Sequence, residues 1–167
     1  MRLSAHDEYG LRCLSQVVRA DPSDSVTINE IADHEALSAA NVAKIMRLLR
    51  EGGVVASIRG QKGGYRLTRP AGEIRLSEVL EALGHRHYSE CACERFSGHR
   101  SGCVRTGDCS IRALWSGVDR LLQAYFESRT LADLKCGEQE MGRRIDDNLP
   151  SLLQAAAESP RTSAAGK

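Results

Sequence analysis

No stretch of this chain approaches the roughly 20 consecutive apolar residues needed to cross a bilayer, so a membrane span is excluded. The opening "MRLSAHDEYGLRCL" lacks the apolar stretch of a signal peptide, carrying Arg2, Asp7, Glu8 and Arg12 instead, and a cytoplasmic protein is predicted. Structural disulfides are not expected there. No internal repeat is visible, and "GQKGG" lacks the full phosphate-loop spacing and sits in a hairpin instead of opening a helix, which argues against nucleotide binding. Nor is there a cofactor fingerprint or an acid–base constellation, so an enzyme is not predicted.

What is present begins with charge. The 167 residues carry a formal net charge of only +1, but that total conceals its distribution. Between Lys44 and Arg69 lie seven basic residues and one acid, Glu51. A basic face on a near-neutral protein follows, and it suits a polyanionic partner.

Leu3, Leu11, Leu14, Val17 and Val18 recur at helical spacing, predicting an amphipathic helix over 3–19 that "DPSDS" ends. Thr27 with Glu30 three residues later is a capping box for a short second helix. Ser38 caps a third, whose apolar face is Val42, Ile45, Met46 and Leu49 and whose stop is Gly52-Gly53. Two short helices about three residues apart form a helix-turn-helix. "VVASI" and "YRLT" then predict two strands joined by the glycine-bearing "RGQKGG", which makes a wing. A helix over 77–83 closes at Gly84, and regular pattern is then missing until Cys109. From Ile111 to Phe126 apolar residues repeat at three and four, with the only Trp among them. Such a stripe calls for a partner surface, here a second copy. "TLADL", capped by Thr130, predicts a further short helix.

The fold class is therefore mainly α with a small β-wing: a winged helix-turn-helix plus a long dimerisation helix. Its parts are 1–84 for DNA binding, 85–109 as a cysteine-bearing loop, 110–135 for the dimerisation helix and its sequel, and 136–167 as an extension with a disordered end. This architecture lays its second helix in the major groove of double-stranded DNA and reaches the flanking backbone or minor groove with the hairpin. Ser38, Ala40 and Asn41 open the reading helix, small enough for close approach, and Asn41 suits an adenine edge. Lys44, Arg47 and Lys62 would neutralise phosphates, Arg59 would enter a narrow minor groove, and Gln61 stands with them on the wing loop. The bland alternative is a solvated charged face on a winged fold that contacts proteins.

The segment "CACERFSGHRSGCVRTGDC" (91–109) places four thiols where the other apolar residues are only Ala92, Phe96 and Val104. Four explanations stay open on spacing alone. A zinc site would usually show C-x2-C pairs, which are absent. A redox disulfide and inert thiols are two more. An iron–sulfur cluster, which spreads its ligands over several irons, is the fourth.

The segments "MRLS..DEYGLR", "VVASIRGQKGGYRL", "GCVRTGDCSIRALW" and "TLADL" together resemble the winged-helix family that contains the regulators IscR and NsrR, over about residues 1–135. The resemblance implies a dimeric bacterial transcription regulator, a repressor, that senses redox state, nitric oxide or iron status through a two-iron or four-iron cluster. It implies Cys103 and Cys109 as ligands, with Cys93 or Cys91 as the first. Members like IscR carry a His three residues after the last Cys, where this chain has Arg112. Other members complete the cluster with an acid of the first helix, often from the partner subunit, and Glu8, with Asp7 beside it, occupies that position. His85, His87 and His99 are further ligand candidates. Cys13 is expected in the core and Cys136 has no assigned role. A regulator that uses a thiol switch without a cluster is the alternative.

Overall fold

The computed structural model of the chain describes residues 4–60, 63–85, 103, 105 and 108–158, the last four by backbone alone. The predicted wing residues Gln61 and Lys62, the cysteines Cys91 and Cys93, and the histidines His87 and His99 lie outside the described residues. So does 159–167, the bulk of the tail expected to be disordered.

Three helices build the head. Helix α1 (Ala5–Arg19) begins at a reciprocal box in which Asp7 N–H donates to Ser4 Oγ and Ser4 N–H to Asp7 Oδ2. Helix α2 (Ile28–Glu35) has the predicted Thr27–Glu30 box. Helix α3 (Ala39–Glu51) is capped by Ser38, whose Oγ accepts the Asn41 N–H. The turn between α2 and α3 hinges on Ala36, which adopts φ 52° without being glycine. Helix α3 ends as its glycines dictate: Gly53 takes φ 73°, Val54 N–H bonds Leu49 O and Gly53 N–H bonds Arg50 O. That is a left-handed helix stop, and it aims the chain into the wing.

Strands β1 (Val55–Ile58) and β2 (Gly64–Leu67) pair antiparallel, Val55 opposite Leu67 and Ile58 opposite Gly64. Val26 adds a one-residue bridge to Tyr65 with two backbone bonds of 2.9 and 2.8 Å. Gly64 is required there, since a Cβ would stand 2.7 Å from the Val26 carbonyl oxygen. The core gathers Leu14, Val17 and Val18 of α1, Ile31 of α2, and Val42, Ile45, Met46 and Leu49 of α3, together with Val54, Ile74, Val79 and Leu131. Each such side chain contributes about 1.5–3 kcal/mol by leaving water. Cys13 lies within this core as expected, and burial together with the nearby Glu35 pushes its thiol up to about 11.

Helix α4 (Leu76–Ala82) starts one residue before the prediction because the Glu78 side chain accepts the Arg75 N–H at 3.1 Å. It closes at Gly84, φ 87°, with His85 N–H on Leu80 O. Helix α5 (Ser110–Glu127) is the long helix. "TLADL" forms a 3-10 turn (Leu131–Lys135) instead of an α-helix, its Thr130 N–H capped by Asp133 at 2.9 Å. The extension holds an element the pattern did not predict: α6 (Glu138–Glu158), a 21-residue helix.

Helices α3 and α4 meet where Gly52 abuts Ala82. A Cβ at Gly52 would lie 2.3 Å from the Ala82 Cβ and 3.1 Å from its Cα. Gly52→Ala is expected to destabilise the fold by about 1–3 kcal/mol through overpacking, read as a lower denaturant midpoint. An unchanged midpoint would contradict the close approach.

Candidate nucleic-acid interface and thiol site

Helix α3 separates its two faces cleanly. Val42, Ile45, Met46 and Leu49 are fully buried, while Ala40, Lys44, Arg47 and Glu51, at steps of four, three and four, form an exposed stripe on the other side. Ser38, Ala39 and Ala40 are exposed and Asn41 half-buried, so the first turn offers small side chains and one amide. Arg47 pairs loosely with Glu51 at 3.7 Å, both well exposed, and such a surface pair costs little to break. Of the predicted DNA-contacting set, five residues thus share one helix surface, and Arg59 is exposed at the end of β1. Gly60 turns the wing at φ 113°.

A polar cluster fixes this reading unit to α1. The Arg12 Nε donates to Glu35 Oε2 at 2.8 Å, its Nη2 donates to the Glu35 carbonyl, and Gln16 donates to Glu35 Oε1. The Arg12 guanidinium also lies 5.8 Å from the centre of the Tyr9 ring. Partial burial pushes the Glu35 carboxyl up, but the bonds from Arg12 and Gln16 and the Arg12 charge outweigh it and hold it below the ordinary carboxylate range.

Cys103 and Cys109 are free, half-buried thiols. Cys109 is the N-cap of α5, where its Sγ accepts the Arg112 N–H at 3.4 Å. Thiolates are soft donors that suit a thiophilic metal. Arg112 itself brings no imidazole. Among the described residues no three His, Cys, Asp or Glu side chains converge as a metal site. Glu8 is exposed. Its neighbour Asp7 is 2% exposed and faces His85, with 3.5 Å between Oδ2 and Nδ1. That burial was missed in the sequence, although Ser4-x-x-Asp7 is itself a capping-box pattern. Cys136 donates to Asp133 O at 2.9 Å and belongs to the 3-10 turn.

The position of His85 fixes the geometry. It lines a cavity of about 140 Å³ together with Asp119 of α5. Asp119 stands ten residues beyond Cys109, about 15 Å along the helix. Through His85 the α1 N-terminus is thus linked to a cavity lined by the middle of α5. The outer side of α5 leaves Ile111, Leu114, Trp115 and Leu121 exposed, Leu114 at 64%.

Comparison with known proteins matches residues 3–137 to the family described as "Rrf2: Iron-dependent Transcriptional regulator". The HTH-type transcriptional regulator IscR of Cronobacter sakazakii is 29% identical over 134 residues, 80% of either chain. Protein rrf2 of Nitratidesulfovibrio vulgaris is 28% identical over 80% of this chain and 87% of its own. Among solved structures, T. potens IscR superposes with TM-score 0.64 at 22% identity, over 80% of this chain and 85% of its own. CymR, the global cysteine regulator of B. subtilis, does so with 0.65 at 23%, over 80% and 95%. These relatives are regulators, not enzymes, and among the described residues no helix is long and apolar enough to cross a membrane.

The depressed Glu35 carboxyl has a pH signature. Its contribution is complete above the unfolded-state value of about 4.3 and disappears as pH falls through the lower folded-state value. Glu35→Gln is expected to lower the denaturation midpoint at pH 7, with the gap to the parent protein closing as pH drops below about 4. A gap that stays constant down to pH 3 would contradict the charge-based role.

Proposed function

The chain belongs to the Rrf2 family of transcriptional regulators, and on that premise we propose that it is a homodimeric, operator-binding repressor whose cysteines hold an iron–sulfur cluster. The exposed first turn and basic stripe of α3 carry the DNA half of this reading. Ser38, Ala40 and Asn41 approach the bases, Lys44 and Arg47 neutralise phosphates, and Arg59, Gln61 and Lys62 of the wing loop reach the flanking backbone. The apolar stripe of α5 supports dimerisation, because four large exposed side chains on one helix need covering.

For the sensor, Cys103, Cys109 and Cys93 (or Cys91) are the proposed thiolate ligands, with Glu8 as the oxygen donor. Glu8 is exposed on α1, and in this reading it is supplied by a second copy of the chain. A bound cluster would supply chemistry that oxygen, nitric oxide or iron scarcity can alter. The residues' own part is structural: thiolates tied to Glu8 across the dimer would fix each α5 against the other head, and so set the spacing of the two α3 helices. Half-site spacing is a geometric requirement for binding an operator. Loss of the carboxylate contact is the easier step, since oxygen holds iron less tightly than thiolate does. The rival reading, a cluster-free thiol switch between Cys103 and Cys109, is favoured by their both being free and half-buried.

Two experiments test these halves separately. In operator titrations at several salt concentrations, Lys44→Ala is expected to weaken binding across sequences and reduce the salt slope by about one, whereas Asn41→Ala should cost about 1–3 kcal/mol at one base position. Equal loss on every sequence for both variants would remove Asn41 from base reading. Anaerobically purified protein is expected to be brown, with iron and acid-labile sulfide that Cys103→Ala and Cys109→Ala both abolish. Colourless parent protein whose free-thiol count changes on oxidation would replace the cluster with the thiol switch.

A further inference from the structure

Apart from the surfaces above, the described residues enclose a cavity of about 350 Å³ between the end of α1, the base of the wing and the 3-10 turn. That volume is at the small end of ligand sites, which run to about 1,000 Å³. Its floor is apolar, made by Val17 and Val18, both buried, with Leu67 and Ala71. Its walls are held by backbone bonds. Strand β2 is pinned through Tyr65 to Val26 at 2.9 and 2.8 Å, and the turn that carries Lys135 is pinned where Leu131 N–H meets Ile74 O at 2.9 Å. A site with fixed walls spends little binding energy on ordering itself.

The rim brings opposite charges from opposite elements. Asp21 and Asp24 come from the segment after α1, while Arg66 comes from β2 and Lys135 from the 3-10 turn. Arg69 also reaches the cavity, but its guanidinium is engaged by Glu78 at 2.6 Å. Among the described residues neither Arg66 nor Lys135 is in a salt bridge with any carboxylate. The Ser23 hydroxyl and N–H hold the Asp21 carboxyl below its ordinary range, so it keeps its charge. An anion alone would face two carboxylates, and a cation alone would face two basic groups. A molecule with one charge of each sign and a short apolar body satisfies every wall.

We propose that this cavity binds a free α-amino acid with an unbranched or branched aliphatic side chain. The carboxylate meets Arg66 and Lys135, the ammonium meets Asp21 and Asp24, and the side chain covers Val17, Val18 and Leu67. None of its lining residues belongs to the predicted DNA-contacting set or to the thiols.

Calorimetric titration of the full chain with L-leucine and with L-methionine, without DNA, tests it. Saturable binding of one molecule per chain is expected for at least one of the two. Binding should weaken about tenfold or more for 4-methylpentanoate, which lacks the ammonium, and for isoamylamine, which lacks the carboxylate; a tenfold change is about 1.4 kcal/mol. Lys135→Ala, Arg66→Ala and Asp24→Asn remove exposed charges only, so the fold should persist by circular dichroism while affinity falls by a similar factor. No saturable heat at concentrations to about 10 mM would overturn the proposal. So would analogues that bind as well as the amino acids, or affinity untouched by all three variants.

Discussion

A short backbone clamp joins the two halves of this molecule. Leu76 N–H donates to Arg129 O and Leu131 N–H to Ile74 O, both at 2.9 Å, with an antiparallel bridge between Arg75 and Thr130. Leu131 is fully buried beside it. The Arg129 side chain, itself buried, lies 5.4 Å from the centre of the Tyr125 ring and donates to Arg144 O at 3.0 Å, so it gathers α5 and α6 to the same point. Strand-like bonds between distant segments are short and directional, and this pair makes the base of α5 part of the head.

The other end of α5 is its thiol end, where Arg112 and Trp115 have partners of their own. Its first turns present Ile111, Leu114 and Trp115 outward, and its N-cap is a thiol. One end of the helix is thus fixed to the reading head by hydrogen bonds and burial, and the other ends in groups suited to a metal and a second copy. On the proposed reading, a change at the thiol end would reach the head through this clamp. Helix α2, the first of the helix-turn-helix pair, is tied to α1 by the bonds from Arg12 and Gln16 to Glu35, and α3 shares its buried core with both.

Much of the head was legible in the sequence because its signals are local. Thr27 with Glu30, Ser38, and Gly52-Gly53 each fix a helix boundary within a few residues, and the structure realises all of them. The wing followed from apolar strands around a glycine hairpin. What escaped depends on distant partners or on conflicting local signs. Helix α6 contains Pro150 and Gly142, both helix-weakening, yet Arg144 anchors it to Asp133 at 3.0 Å. Buried Asp7 meets His85, which is far away in sequence. In the candidate site, the α3 residues were readable since one helix turn places them together. The cysteines were readable as residue types, but their spacing leaves several ligand chemistries open.

On the proposed reading, metal orders the thiol end of α5, while the clamped end is ordered by the protein alone. Hydrogen–deuterium exchange on anaerobic protein, before and after iron is removed with a chelator, measures this directly. Amides of residues 103–115 and the first turn of α1 should exchange much faster without iron, while those of α3 and the clamp at 74–76 and 129–131 stay protected. Equal protection at 103–115 in both states would contradict it, as would a general loosening of the head.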